Sequence, residues 1–175
     1  IELPKASIAV HKWGSGPKKI LFLHGWMSHS KRWKPYIDTL DFSEYTIYSL
    51  DAPAHGLSKG NMMNVELYRQ AAEEIISQAG GVDYLICHSL GSLVGAYTFL
   101  AHKEIPIENY VIMGAPSGMH SIFGFFKDAL NLSGRTIDNL EIKVDSVLKI
   151  PASKITLARF FETVDKPVLV VHEKS

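Results

Sequence analysis

Five residues, Cys87-His88-Ser89-Leu90-Gly91, carry the clearest chemical signal in the chain. The apolar run Tyr84-Leu85-Ile86 stands before them, and an apolar helical stretch, Ser92 to Ala101, follows. A strand that turns at once into a helix through x-Ser-x-Gly lifts the serine hydroxyl clear of a sheet, and so tight a bend asks for small residues on either side. Gly91 meets that demand. Two residues before the serine it falls on Cys87, small but larger than the glycine usual there. A serine hydroxyl is nearly inert at neutral pH. As a nucleophile it needs a neighbouring base, and donors aimed at the oxygen that turns negative in acyl transfer. The same residues also suit a buried strand and a core helix with Ser89 as an ordinary N-cap.

The elements that would position this serine can be taken in order. Ser7-Ile8-Ala9-Val10 reads as a short strand and Gly14-Ser15-Gly16-Pro17 as a turn. Ile20-Leu21-Phe22-Leu23 is a continuous apolar run of the kind a parallel strand covered on both faces requires, and it ends in His24-Gly25-Trp26-Met27. Trp33, Tyr36, Ile37 and Leu40 recur at helical spacing from Lys31 to Leu40, with Pro35 blurring the start. Tyr45 to Leu50 is a strand broken by Asp51 through Ser58. Asn64 caps a helix with apolar face Val65, Tyr68, Ala72, Ile75 and Ala79, ended by Gly80-Gly81. Asn109 to Met113 is a strand closed by Gly114-Ala115-Pro116. Strands alternating with helices predict a mostly parallel, doubly wound α/β sheet with right-handed crossovers.

Between Ser117 and Asp165 the rhythm turns helical, with Gly134 and Pro151 as breakers, so residues 117–165 are expected to form a helical cap or lid inside one domain, 1–175. Ordinary sheet-covering helices are the alternative. Pro167 then opens the strand Val168 to His172, at a position where no ladder donor is missed.

Composition narrows the partners. The chain has 175 residues, enough for one good core. Lys plus Arg and Asp plus Glu both count 18, so no net field attracts nucleic acid or anionic lipid. No apolar run approaches the roughly 18 residues of a membrane span. One cysteine makes no internal disulfide, which fits a reducing, cytoplasmic setting. The start Ile1-Glu2-Leu3-Pro4 lacks an initiator Met and a signal-like core, as expected of a processed or trimmed chain. Eight histidines raise metal ligation, but no His-x-x-x-His or carboxylate pairing at ligand spacing occurs, so no metal is expected.

His24-Gly25-Trp26, then Asp51 through Ser58, then Cys87 through Gly91, in that order on strand ends, resemble the α/β-hydrolase family from about Ser7 onward. The resemblance implies that Ser89 is the nucleophile. It implies an oxyanion hole from the backbone N–H groups of Leu90 and Trp26, with Gly25 and Gly91 as supporting residues. His24 is then a brace of its loop, and His88 packs or lines the pocket, aimed away from the hydroxyl. Asp51 to Ser58 resembles the family's Asp-x-x-Gly-x-Gly-x-Ser turn, with Ala54 in place of the first glycine, and reads as structural. Cys87, on the strand side of the bend, reads as a buried, inert thiol. Haloalkane dehalogenases share the fold but place an aspartate at the bend. No nucleotide fingerprint is present, so no organic cofactor is expected.

The family order continues with an acid and then a histidine. Here the turn after the last strand reads His172-Glu173-Lys174-Ser175, and Gly114 to Ser117 offers no carboxylate. Neither Asp165 nor Glu173 stands at a family acid position. The expectation is a parent protein that continues, with the last strand and helix of the fold missing here. Losing the base alone costs a serine hydrolase roughly 10⁶ in turnover, so these 175 residues alone are expected to be nearly inactive. The open last strand is expected to favour self-association. For the parent the expected activity is that of a serine hydrolase acting on carboxylic esters, with a small-molecule, apolar ester as the expected substrate. The alternative is a non-catalytic α/β-hydrolase-like binding or scaffold protein.

Overall fold

The computed structural model describes residues 1–173. A six-stranded sheet runs in the order β3-β5-β4-β6-β7-β8. Its strands are β3 (Val10–Trp13), β4 (Lys18–Leu23), β5 (Tyr45–Leu50), β6 (Val82–His88), β7 (Ile107–Met113) and β8 (Val168–Val171). Only β3 is antiparallel to its neighbour. A separate pair, β1 (Glu2–Leu3) and β2 (Ala6–Ser7), precedes it.

The central strands are the most apolar because helices or turns cover both faces; Leu21, Leu23, Leu85 and Cys87 are fully buried. Register aligns their carboxyl ends: Leu23 lies opposite Leu50 and Cys87, and Cys87 opposite Ile112. The chain winds from β4 out to β5 and then crosses back to β6. That reversal opens a crevice at the strand ends, where ligands bind in open α/β sheets.

Five helices are regular enough to name beside the short α1 (Lys34–Ile37): α2 (Val65–Ala79), α3 (Leu90–Ala101), α4 (Met119–Ala129), α5 (Gly134–Asp145) and α6 (Leu157–Thr163). Asn64 caps α2 by accepting the Leu67 N–H at 3.1 Å, and Gly80 closes it in the left-handed region. Helix α3 is apolar all round because it is buried all round. Among the described residues no helix is long and apolar enough to cross a membrane.

Several elements differ from the sequence expectation. The strand expected at Ser7–Val10 is interrupted because Ala9 bonds elsewhere: its N–H donates to Ser58 Oγ at 2.9 Å and its carbonyl accepts from Asp51 N at 3.0 Å. The helix expected over Lys31–Leu40 is a 3₁₀ turn, Ser30–Trp33, followed by the four helical residues Lys34–Ile37, with Pro35 in the first turn where its missing N–H costs nothing. Trp33 and Ile37 are buried there, but Tyr36 is exposed. Gly134 does not break a helix but starts α5, where Ser133 accepts the Thr136 N–H. Strand β8 ends at Val171, so His172 lies just past it.

The 117–165 stretch divides between two layers. Helices α4 and α5 pack with Leu93 and Tyr97 above the strand ends. Helix α6 instead covers the sheet, with Phe160 edge-on to Phe99 at 5.6 Å and Tyr110 at 5.2 Å. It is the crossover helix into β8, so the part with the placement of a cap is α4–α5. On β8, Leu169, Val170 and Val171 are half-exposed.

The loops after β4 and β5 are tied together by one carboxylate and one neutral imidazole. Asp51 accepts from Ser30 N at 2.7 Å, Leu57 N at 2.8 Å and His11 Nε2 at 3.3 Å. Burial opposes its charge, but the Leu57 and Ser30 amides and His11 hold its pKa at about 2. The His24 ring accepts the Ala52 N–H on Nε2 at 2.9 Å, so Nδ1 carries the proton given to Gly25 O at 2.7 Å. Tyr68 donates to the His24 carbonyl at 3.0 Å. Ala54 sits at φ 61, which explains why a glycine is usual at its place in the turn.

Two outcomes follow from this knot. Because the folded pKa of Asp51 lies below its ordinary 3.8, its contribution is present above that value and is lost as pH falls toward 2. The shift corresponds to roughly 2 kcal/mol. Denaturant titrations across pH 2–6 should show that acid loss in the wild type and a flattened acid limb in Asp51→Asn; equal limbs would contradict the assignment. Ala54→Gly should raise stability by about 0.5–1 kcal/mol by relieving the left-handed Cβ clash, read as a higher thermal midpoint.

Candidate active site

The bend at Ser89 is as tight as the spacing requires. Ser89 has φ 53 and ψ −122, far from the extended geometry of an N-cap, and its side chain caps nothing. The ordinary-N-cap reading therefore falls. Ser89 N donates to Met113 O at 2.8 Å, and Ser92 Oγ donates to the same carbonyl at 3.0 Å, which pins the start of α3 to β7.

Close backbone approach forces the small residues. A Cβ on Gly91 would stand 2.4 Å from the Leu23 carbonyl oxygen, and one on Gly25 would stand 2.9 Å from Ser89 Cβ. Cys87 fits where a glycine is usual because Gly95, in the second turn of α3, leaves its sulfur room: a Cβ there would meet Cys87 Sγ at 2.8 Å. Burial pushes the Cys87 thiol far above its ordinary range, so it stays protonated and inert.

The expected oxyanion donors lie at this end of the sheet. Leu90 N and Trp26 N have no backbone acceptor among the described residues, and Leu90 is the first residue of α3, where such amides are left free. The next amide, Met27 N, already donates to His55 Nε2 at 3.1 Å, and His55 gives its single ring proton, on Nδ1, to Pro53 O at 2.9 Å. His55 is thus a second brace of the loop, one the sequence reading passed over inside the Asp51–Ser58 turn. The Trp26 indole stands edge-on to Phe126 at 4.8 Å, joining the loop to α4.

His24, His88 and His172 have distinct placements. His24 is buried with both ring nitrogens in use, joining Gly25 O to Ala52 N, and burial lowers its pKa. His88 departs from expectation: it is exposed and lies outside the cavity lining. Its ring, on the last residue of β6, sits between the Gly25 and Gly114 backbones. His172 is exposed beyond β8, with Nδ1 at 3.2 Å from Glu173 O. Asp165 precedes β8 and so lies toward the opposite end of the strands from Ser89. Lys174 and Ser175 of the final turn lie outside the described residues.

Ser89 opens onto a cavity of about 980 Å³ between the start of α2, the bend, Gly114–Ser117 and helices α4 and α5. One wall holds a buried polar cluster that the sequence reading missed, although Glu66 and Arg69 have the i,i+3 spacing of a helical ion pair. Arg69 Nη2 donates to Glu66 Oε1 at 2.7 Å and its Nη1 to Glu73 Oε2 at 2.5 Å. Gln70 also donates to Glu66 Oε1, at 3.0 Å, and Tyr97 donates to Glu66 Oε2. Lys149 N donates to the Tyr97 hydroxyl at 2.8 Å, which ties the segment after α5 to α2 and α3.

Comparisons with known proteins agree with this geometry. A family model described as serine aminopeptidase, S33, matches residues 15–163. A probable alcohol acetyltransferase of Cyberlindnera fabianii is 31% identical over 102 residues, 55% of this chain and 27% of that protein. A pimeloyl-[acyl-carrier protein] methyl ester esterase of Citrobacter koseri is 30% identical over 92 residues, 52% of this chain and 34% of its own length. The matched stretch thus spans about a third of those curated relatives. The solved α/β hydrolase domain-containing protein 10 from mouse superposes with a TM-score of 0.66 at 16% identity, over 98% of this chain and 75% of that one. With the family model covering most of the chain and the sheet, bend and helices arranged as described, the chain belongs to the serine aminopeptidase family of α/β-hydrolases.

Proposed function

We propose that the protein is a serine hydrolase that cleaves carboxylic esters through an acyl-enzyme on Ser89. The observation that carries this is the strained Ser89 backbone, which sets the side chain on the wall of an apolar cavity beside the free amide of Leu90. In this reading Ser89 Oγ attacks the ester carbonyl carbon. The carbonyl oxygen takes the negative charge and accepts from the Leu90 and Trp26 N–H groups. Collapse breaks the ester C–O bond, the alcohol leaves with a proton, and water releases the acid. A histidine takes the Ser89 proton and hands it to the leaving alcohol, and an acid orients that histidine without taking the proton; the family order places both after β8.

The esterase of Citrobacter koseri supports an ester substrate in preference to a peptide. Trp26 and the cavity residues of α4 and α5 suit an apolar acyl group. The unpaired, buried Cys87 suits a reducing cytoplasm. The half-exposed apolar residues of β8 would support pairing with a second chain along that edge.

A fluorophosphonate probe applied to the product of the whole reading frame should label the wild type and leave Ser89→Ala unlabelled. Labelling that survives the substitution would show that another residue is the nucleophile, and a wild type that never labels would favour the binding-protein reading. Gly25→Ala, whose new Cβ meets Ser89 Cβ, should slow labelling by about 10²-fold in a protein that still folds, as checked by circular dichroism.

A further inference from the structure

The cavity above Ser89 has a wall chemistry that narrows the substrate. Its volume, about 980 Å³, is at the top of the range for small-molecule sites. At about 30 Å³ for each water-sized group it takes on the order of thirty of them, far more than a short acyl group fills. Ile122 and Phe126 of α4 face it from one side, Leu140 and Val144 of α5 from another, with Ser89 at the base of the sheet end.

Two lining residues carry charge, Glu66 and Lys143. Glu66 is the one carboxylate among the lining residues, and its acceptor sites are already filled by Arg69, Gln70 and Tyr97. Burial works against its charge, but the Arg69 and Tyr97 bonds keep its pKa low, so it is a paired anion with no free lone pair for a ligand. Lys143, exposed on α5, adds a positive charge to the same lining. An amino-terminal peptide substrate brings an α-ammonium that must be desolvated, and the one carboxylate among the described lining residues has no lone pair left to compensate that cost.

We infer that this cavity takes a linear, uncharged acyl chain of about eight or more carbons and excludes substrates with an α-ammonium, in contrast to the activity for which the family is described. The inference rests on the reading of Ser89 as nucleophile only for where the ester carbonyl sits; the binding itself does not need the chemistry.

The test is calorimetric titration of the full chain carrying Ser89→Ala, which prevents turnover, with methyl butyrate, hexanoate, octanoate and decanoate, and with methyl 2-aminodecanoate. Affinity should rise about fourfold for each added methylene, and the 2-amino group should weaken decanoate binding by about tenfold or more. Val144→Trp should weaken methyl decanoate by about tenfold and leave methyl butyrate within about twofold. Equal affinities from hexanoate to decanoate, or a 2-aminodecanoate that binds as tightly as decanoate, would overturn the inference; neither depends on the substituted wall. A fourfold slope in a protein whose Ser89 never labels with fluorophosphonate would sink the hydrolase reading and leave the cavity assignment standing. Labelling with a flat series would sink the cavity assignment alone.

Discussion

The site depends on how closely three stretches of backbone are pressed together behind one hydroxyl. The ends of β4 and β6 and the first turn of α3 meet with no space for a Cβ at Gly25 or Gly91. Ser89 is held at a positive φ that it would leave if its neighbours allowed. Its backbone strain is sustained by its neighbours: Met113 O accepts its N–H, Gly25 lies against its Cβ, and the Leu23 carbonyl closes on Gly91 two residues on. The elements elsewhere in the sheet can be understood as what keeps those ends level, since one residue of slip between β4 and β6 would turn Cys87 to the other face and carry the bend after it out of place.

Electrostatics reinforces the same arrangement from a distance. The negative charge of Asp51 is spread over two amides and His11, so the loops after β4 and β5 are joined through a group that stands apart from the nucleophile. His24 and His55 serve as neutral, doubly bonded spacers, which leaves the Trp26 amide between them without a protein acceptor among the described residues. Histidine beside a serine invites a catalytic assignment; here the hydrogen bonds of each ring argue for support. Across the cavity, the paired charges of Glu66 and Arg69 do comparable work, fastening the segment after α5 to the sheet-covering helices through Tyr97.

Much of the scaffold was legible because local chemistry and global packing agree. Tyr45–Leu50 alternates with turns so strongly that its bounds match the strand observed, and Asn64 with Gly80 marks both ends of α2. The bend itself was readable from Ser89 and Gly91, and the match to the α/β-hydrolase family follows from it. What could not be read needed contacts far apart in sequence. Ala9 looks like strand until Ser58 and Asp51 claim its polar groups. Helical periodicity places Phe160 and Phe126 on buried faces but cannot say that one faces the sheet and the other the cavity. The fit of Cys87 needed Gly95, whose relevance appears only once α3 folds back over β6. The placement of the exposed His88 ring likewise depends on Gly25 and Gly114, which are remote in sequence.

A crystal structure of the whole protein with a phosphonate bound covalently to Ser89 tests the central claim most directly. The account predicts Ser89 still at positive φ, with the phosphoryl oxygen about 2.7–3.1 Å from both Leu90 N and Trp26 N. An oxygen turned to solvent, or a Ser89 relaxed into helical geometry with those amides bonded elsewhere, would contradict it.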